Sequence, residues 1–261
     1  MSIDRRRFFT VAGLGVLGVA GVKALGANVV GDPDKLPRLP SATPVKGKRF
    51  AMVVDMKACT EQGFAKCVEA CHRTHNVPTF ADKQEEVKWI WGEPFHDAFP
   101  ELHHEHLVSG LAEHEFPVFC NHCDNPPCTR VCPTQATWKR EDGVVMMDWH
   151  RCIGCRYCIA ACPYGSRSFN WRDPRPHIAE ITTEFPTRER GVVEKCNFCE
   201  ERLARGQMPA CAEACQGDEH PVLSFGDLDD PNSIVRQLLA VRPAIRRKPE
   251  LGTEPQVYYL V

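Results

Sequence analysis

The chain has 261 residues, 15 of them cysteine, and a formal charge of −2. A chain of this length buries enough apolar surface to fold without dense covalent staples, and an odd count cannot close as disulfides with nothing left over, so the thiols read as ligands. The near-neutral balance gives nucleic acid no electrostatic reason to bind the chain as a whole, while 21 prolines and 18 glycines suit a turn-rich chain wrapped around something.

At the amino terminus Arg5, Arg6, Arg7, Phe8 and Phe9 precede an apolar and glycine run from Val11 to Val22, which Lys23 ends. That run is too short to span a bilayer, and a basic start, short apolar stretch and small-residue exit at Ala24-Leu25-Gly26 read as an export signal over residues 1–27. It resembles the twin-arginine type, with Phe8 in place and Asp4 where that pattern prefers Ser or Thr. The resemblance implies export to the periplasm of a chain already folded around its cofactors. Gly13, Gly15 and Gly18 spell GxGxxG, but no strand precedes them and no acidic residue follows at the required distance, so they mark no dinucleotide site. Residues 28–48, with Pro33, Pro37, Pro40 and Pro44, predict an extended linker, and folded structure is expected from Arg49.

A repeat follows. Met52 to Cys59 aligns without a gap on Val145 to Cys152, each a β-type run with an aspartate (Asp55, Asp148) four residues before the cysteine. Phe116 to Cys120 and Val192 to Cys196 repeat the strand and its cysteine. All four copies close on C-x-x-[AV]-C: Cys67 to Cys71, Cys128 to Cys132, Cys158 to Cys162 and Cys211 to Cys215. The pattern predicts four modules, each a strand, a ligand turn and a short helix.

Spacing selects the metal. Cys152, Cys155, Cys158 and Cys162-Pro163 reproduce the bacterial ferredoxin run, in which three close thiolates serve one cubane and the fourth serves another. Cys120, Cys123, Cys128 and Cys132-Pro133 differ only by two extra residues. Cys196, Cys199, Cys211 and Cys215 carry a longer insertion. A structural zinc site more often shows two separated CxxC pairs. The first copy lacks a ligand: Cys59 is followed by Thr60, Glu61, Gln62 and Gly63, with Cys67 the next thiol, which accounts for fifteen cysteines.

The motifs CNHCDNPPCTRVCPTQAT, CIGCRYCIAACPYG and KCNFCEERLARGQMPACAEAC resemble the iron–sulfur subunits of complex iron–sulfur molybdoenzymes and their relatives, over residues 49 to 261. Within that family, CHRTHNVP, RSFNWRDPRP and FGDLDDPNS look most like the exported iron–sulfur subunit of sulfite-reductase-associated membrane complexes. The resemblance implies an α+β fold of duplicated two-cluster ferredoxin-like modules, one inserted in the other. The outer module would comprise 49–115 and 190–261, and the inserted one 116–189. It also implies cross-ligation between partnered motifs. Cluster A would sit on Cys120, Cys123, Cys128 and Cys162, cluster B on Cys152, Cys155, Cys158 and Cys132, and cluster C on Cys196, Cys199, Cys211 and Cys71. Cys59, Cys67 and Cys215 remain for a fourth site, which stays open between vacancy, a [3Fe-4S] cluster, a cubane with an unusual ligand, and oxidation of its thiols to a disulfide. Gln216 stands where the family usually has Pro.

His96, His103, His104, His106 and His114 read as an exposed polar insertion, since no HExxH pattern marks zinc. His122, between two cluster cysteines, is expected to orient its turn by donating a hydrogen bond. Trp138, Trp149 and Trp171 are expected to shield clusters from water. Arg242, Arg246, Arg247 and Lys248 read as a solvated basic face, and Val257 to Val261 as a strand returning to the fold. Neither a nucleophile with its base nor a phosphate loop is legible. The expected function is electron relay through three [4Fe-4S] clusters, with an integral membrane quinone-interacting subunit and a multihaem cytochrome c as partners, in sulfur metabolism. The rival readings are the electron-transfer subunit of a molybdopterin oxidoreductase and a zinc-stabilised interaction module.

Overall fold

The computed structural model describes residues 43–59, 61–102, 104–107, 111–215 and 221–261. The export signal, most of the linker, Thr60, His103 and Gln216 lie outside them. In chain order the principal elements are β1 (Phe50–Asp55), α1 (Glu61–Thr74), β2 (Ile90–Pro94), β3 (Glu115–Phe119), α2 (Pro127–Arg130), β4 (Thr137–Lys139), β5 (Val145–Met147), α3 (Tyr157–Ala160), β6 (Ser168–Phe169), β7 (Val193–Glu194), α4 (Glu200–Leu203), α5 (Ala210–Ala214), β8 (Leu223–Asp227), α6 (Ile234–Val241), β9 (Ala244–Ile245) and β10 (Val257–Leu260). None of the described helices is long and apolar enough to cross a membrane.

Each strand expected before a cysteine is present: β1, β3, β5 and β7 end within a few residues of Cys59, Cys120, Cys152 and Cys196. The largest sheet has the order β8-β1-β10-β9. Its C-terminal strand β10 runs parallel to β1, with Met52 opposite Val257 and Val54 opposite Tyr259, while β8 pairs antiparallel on the other edge of β1. Alternation along β1 divides its side chains between two faces. Met52 and Val54 enter the main core with Phe225 and Tyr259, whereas Ala51 and Val53 meet Val235, Leu238 and Leu239 of α6. Three two-stranded ribbons, β2-β3, β4-β5 and β6-β7, complete the strand pairing.

Aspartates prepare the turns after β1 and β5. Asp55 accepts from the N–H groups of Lys57 and Ala58, and Asp148 from that of His150 at 2.9 Å. Such side-chain bonds to the backbone two or three residues on hold an Asx turn, which explains why the same offset recurs.

Three expectations change. The linker is docked before Arg49, because Val45 donates to the Leu203 carbonyl at 2.8 Å and packs on the core. The basic stretch near the C-terminus is not a solvated face. Arg242 pairs with Asp55, Lys248 reaches the Pro163 carbonyl, and Arg247, 2% exposed, pairs with Glu93 at 2.5 Å. Each cation ties down a separate element. Trp138 and Trp171 face solvent, leaving only Trp149 packed inside, between two core clusters.

Candidate iron–sulfur centres

The three complete motifs share one backbone device. The residue before the second cysteine is left-handed in each: His122 (φ 41°), Gly154 (φ 69°) and Phe198 (φ 55°). That conformation turns the chain back so that two cysteines face one point, and for non-glycine residues it is held only where the surroundings enforce it. At Gly154 no side chain fits, since a Cβ would stand 2.4 Å from the Gly191 carbonyl oxygen. The residue three beyond Cys132 and Cys162 is also left-handed, Gln135 (φ 54°) and Gly165 (φ 65°).

Helix packing follows the predicted partnership. α1, carrying Cys67 and Cys71, lies against α5, carrying Cys211, and α2, with Cys128, lies against α3, with Cys158. Set A then converges: burial pushes the Cys123 thiol up to about 12, and its neighbours Cys120, Cys162 and Cys128 push the same way. For set C, burial drives Cys71 well above the ordinary thiol value, with Cys211, Cys199 and Cys196 adding to it. Set B encloses a small cavity lined by Cys132, Cys152, Cys155 and Cys158. Burial also raises the Cys132 thiol, but hydrogen bonds from Thr137, Thr134 and Ala136 more than offset it, leaving it below the ordinary value. None of these twelve cysteines is in a disulfide. Four converging soft sulfurs fit a cubane, and ligation would have to displace the protons that burial favours.

Set A adjoins both others. Cys158 of B has Cys128 of A within electrostatic reach, and Cys196 of C has Cys120 of A. Two buried cations lie along these contacts. Arg167, 4% exposed, donates to the Cys128 sulfur at 3.1 Å and to Thr137 Oγ1 at 2.8 Å. Lys195, 1% exposed, donates to the carbonyls of Val145 and Cys196. Set B is the least sealed: Cys132, Cys152 and Cys155 are half-buried, beside the exposed Ile153 and Tyr157.

His122 is fully buried and accepts, rather than donates, at Nδ1, from the Val145 N–H at 3.0 Å. Burial, then the nearby Lys195 and Arg167 cations, hold the ring well below the usual histidine range. It is therefore neutral.

Set C has neighbours that spacing did not reveal. His75 Nδ1 lies 2.9 Å from the Cys71 carbonyl and Nε2 lies 3.0 Å from Glu201 Oε1. Burial pushes the Glu201 carboxyl up, but bonds from His75 and Asn197 outweigh it and leave it below the usual carboxylate range. Arg188 donates to the carbonyls of His75 and Asn76 and pairs at 2.7 Å with Glu194, both side chains fully buried. Glu194 also accepts from Trp89 Nε1 and Asn170 Nδ2. The available signal was positional: His75 stands one helical turn after Cys71, and Glu194 two residues before Cys196.

The fourth trio does not converge as three free thiols. Cys67 and Cys215 form a disulfide, which is the oxidised alternative among those open for the fourth site. Cys59 stands apart as a buried thiol near the Glu115 carbonyl. Nor is the histidine-rich stretch simply an exposed polar insertion. His104 and His114 join Leu102, Leu107, Leu111 and Cys59 around a cleft of about 930 Å³, and His114 Nε2 lies 3.2 Å from the Cys59 carbonyl.

Burial pushes the Cys59 thiol up to about 11. A group whose folded value is raised contributes stability that is present below its unfolded value, 9.0, and lost as pH rises toward about 11. The unfolding midpoint of the wild type is therefore expected to fall relative to Cys59→Ala between those pH values. Parallel pH profiles would contradict the buried-thiol assignment.

Three motifs with converging thiols and a shared turn define a multicentre ferredoxin-like electron carrier. A family model for the 4Fe-4S dicluster domain matches residues 112–177. The chain is 37% identical to the Hdr-like menaquinol oxidoreductase iron-sulfur subunit 1 of Archaeoglobus fulgidus, covering 98% of this chain and 97% of that protein. It is 33% identical to a tetrathionate reductase subunit of Salmonella typhimurium, over 100% of this chain and 89% of that one. With protein NrfC of Escherichia coli it shares 35% identity, over 99% and 95% of the two chains. The chain belongs to this family, the iron–sulfur electron-transfer subunits of complex iron–sulfur molybdoenzymes and related quinol oxidoreductases, and it is not a catalytic subunit.

Proposed function

We propose that the chain relays electrons through three [4Fe-4S] clusters, A on Cys120, Cys123, Cys128 and Cys162, B on Cys152, Cys155, Cys158 and Cys132, and C on Cys196, Cys199, Cys211 and Cys71. The observation that carries this is the convergence of twelve unpaired cysteines as three quartets, with A adjoining both B and C. The modules are nested: residues 49–115 and 190–261 form the outer one, with cluster C, and 116–189 the inserted one, with A and B. The clusters supply one-electron chemistry. The chain's own residues fix the thiols by left-handed turns, exclude water, and place buried cations beside the sulfurs.

The partners we propose are an integral membrane quinone-interacting subunit and a multihaem cytochrome c. The menaquinol oxidoreductase named for the Archaeoglobus relative supports the first. The chain would be exported by the twin-arginine-type segment at residues 1–27, act in the periplasm in sulfur metabolism, and associate with the membrane through its complex. A second reading, the electron-transfer subunit of a molybdopterin oxidoreductase, is favoured by the likeness to the tetrathionate reductase protein. Co-purification with a large molybdopterin protein would select it.

Three cubanes predict about twelve irons and as much acid-labile sulfide per chain, whereas a fourth three-iron cluster predicts about fifteen irons. Iron and sulfide analysis with electron paramagnetic resonance (EPR) of the oxidised and reduced protein checks this. Fewer than about ten irons in fully loaded protein would overturn the three-cluster reading.

A further inference from the structure

Arg167 is a permanent cation with almost no exposure, and among the described residues no carboxylate forms an ion pair with it. Burying a guanidinium without an anionic partner is costly. Its surroundings are largely sulfur: Nη2 donates to Cys128 at 3.1 Å, Nη1 points to the Met147 thioether at 3.7 Å, and Cys158 and Cys120 lie within electrostatic reach, as does the Lys195 cation. Cys128 and Cys120 belong to set A and Cys158 to set B. Thr137 Oγ1, 2.8 Å away and itself donating to the Met146 carbonyl, fixes the guanidinium plane. The missing counter-charge is thus the sulfur of two adjoining centres.

We propose that Arg167 is a positioning residue that raises the reduction potentials of clusters A and B together, leaving cluster C unaffected. The inference rests on the three-cluster reading above. One-electron reduction adds a unit of negative charge to a buried centre, and a fixed cation in hydrogen-bonding contact stabilises the reduced form more than the oxidised one. One guanidinium that hydrogen-bonds a ligand of cluster A and lies beside Cys158 of cluster B shifts both potentials in the same direction. Its sulfur contacts, Cys128 and Met147, include no ligand of cluster C.

The test is an EPR-monitored redox titration of the full, cluster-loaded chain in wild type, Arg167→Gln and Arg167→Lys, with signals assigned by the ligand variants Cys162→Ser, Cys158→Ser and Cys71→Ser. Arg167→Gln is expected to keep its iron and to lower both A and B, so that at a fixed poise their reduced-to-oxidised ratios fall about tenfold or more. Cluster C should titrate as in wild type, and Arg167→Lys should recover part of the shift. Unchanged potentials at A and B with full iron would overturn the proposal, as would loss of iron from A and B in both variants, which would make Arg167 purely structural. A wild-type iron content below about ten would instead remove the three-cluster reading itself.

Discussion

Replacing Arg188 with alanine is expected to lower stability by about 3–5 kcal/mol. Arg188 and Glu194 are both fully buried, so truncating one partner leaves an uncompensated charge inside the protein. The loss extends further. Arg188 also holds the carbonyls of His75, Asn76 and Pro186 and lies over the rings of Trp89, Trp149 and Phe185. Glu194 enters the fourth motif directly, so its displacement would be felt at Cys196. Urea unfolding of the loaded protein, followed by bleaching of its visible absorption, would show an earlier midpoint, with cluster C bleaching first. The double variant Arg188→Met with Glu194→Gln should be milder than Arg188→Ala, because it leaves no orphaned charge. An Arg188→Ala loss below about 1 kcal/mol would show that water reaches the pair.

The second large effect concerns the Cys67–Cys215 disulfide, and it depends on iron. The bond closes a sequence separation of 148 residues, for which loop-closure entropy gives about 5 kcal/mol in the iron-free chain. Cys71 and Cys211 lie one helical turn away on the same two helices. Once both ligate cluster C that loop is already closed, and the disulfide then constrains only a small residual ring, worth about 2.5 kcal/mol. The double variant Cys67→Ala with Cys215→Ala should therefore cost roughly twice as much in chelator-stripped protein as in loaded protein. Equal losses in the two states would mean that Cys71 and Cys211 do not share a cluster.

Cysteine spacing and gap-free alignment of the copies carried most of the site. They gave the strand before each cysteine and the weakness of the first copy, because each is written within a few residues of sequence, whereas the pairing of motif helices came from the family resemblance. The returning C-terminal strand was legible from its β-rich composition, but its place beside β1 was not, since that pairing joins residues some two hundred positions apart. Arg242, Arg247 and Lys248 look like a charged patch when read linearly. Their acceptors, Asp55, Glu93 and Pro163, belong to three distant segments. The cleft beside Cys59 stayed hidden because histidines mask the leucines interleaved with them. The left-handed turns could have been found: aligning the copies puts His122 and Phe198 on Gly154, and glycine at a sharp turn is the usual sign of positive φ.

His122 and Phe198, the strained residues of the second and fourth motifs, stack on each other with ring centroids 3.6 Å apart, and Phe198 continues into Phe225 of the main sheet. Glycine at either position would relax the backbone and leave a gap where the rings meet. The turn that aims two sulfurs thus also supplies the hinge pin between neighbouring motifs. The turn that carries Cys123 is thereby tied to the turn that carries Cys199 by an aromatic contact.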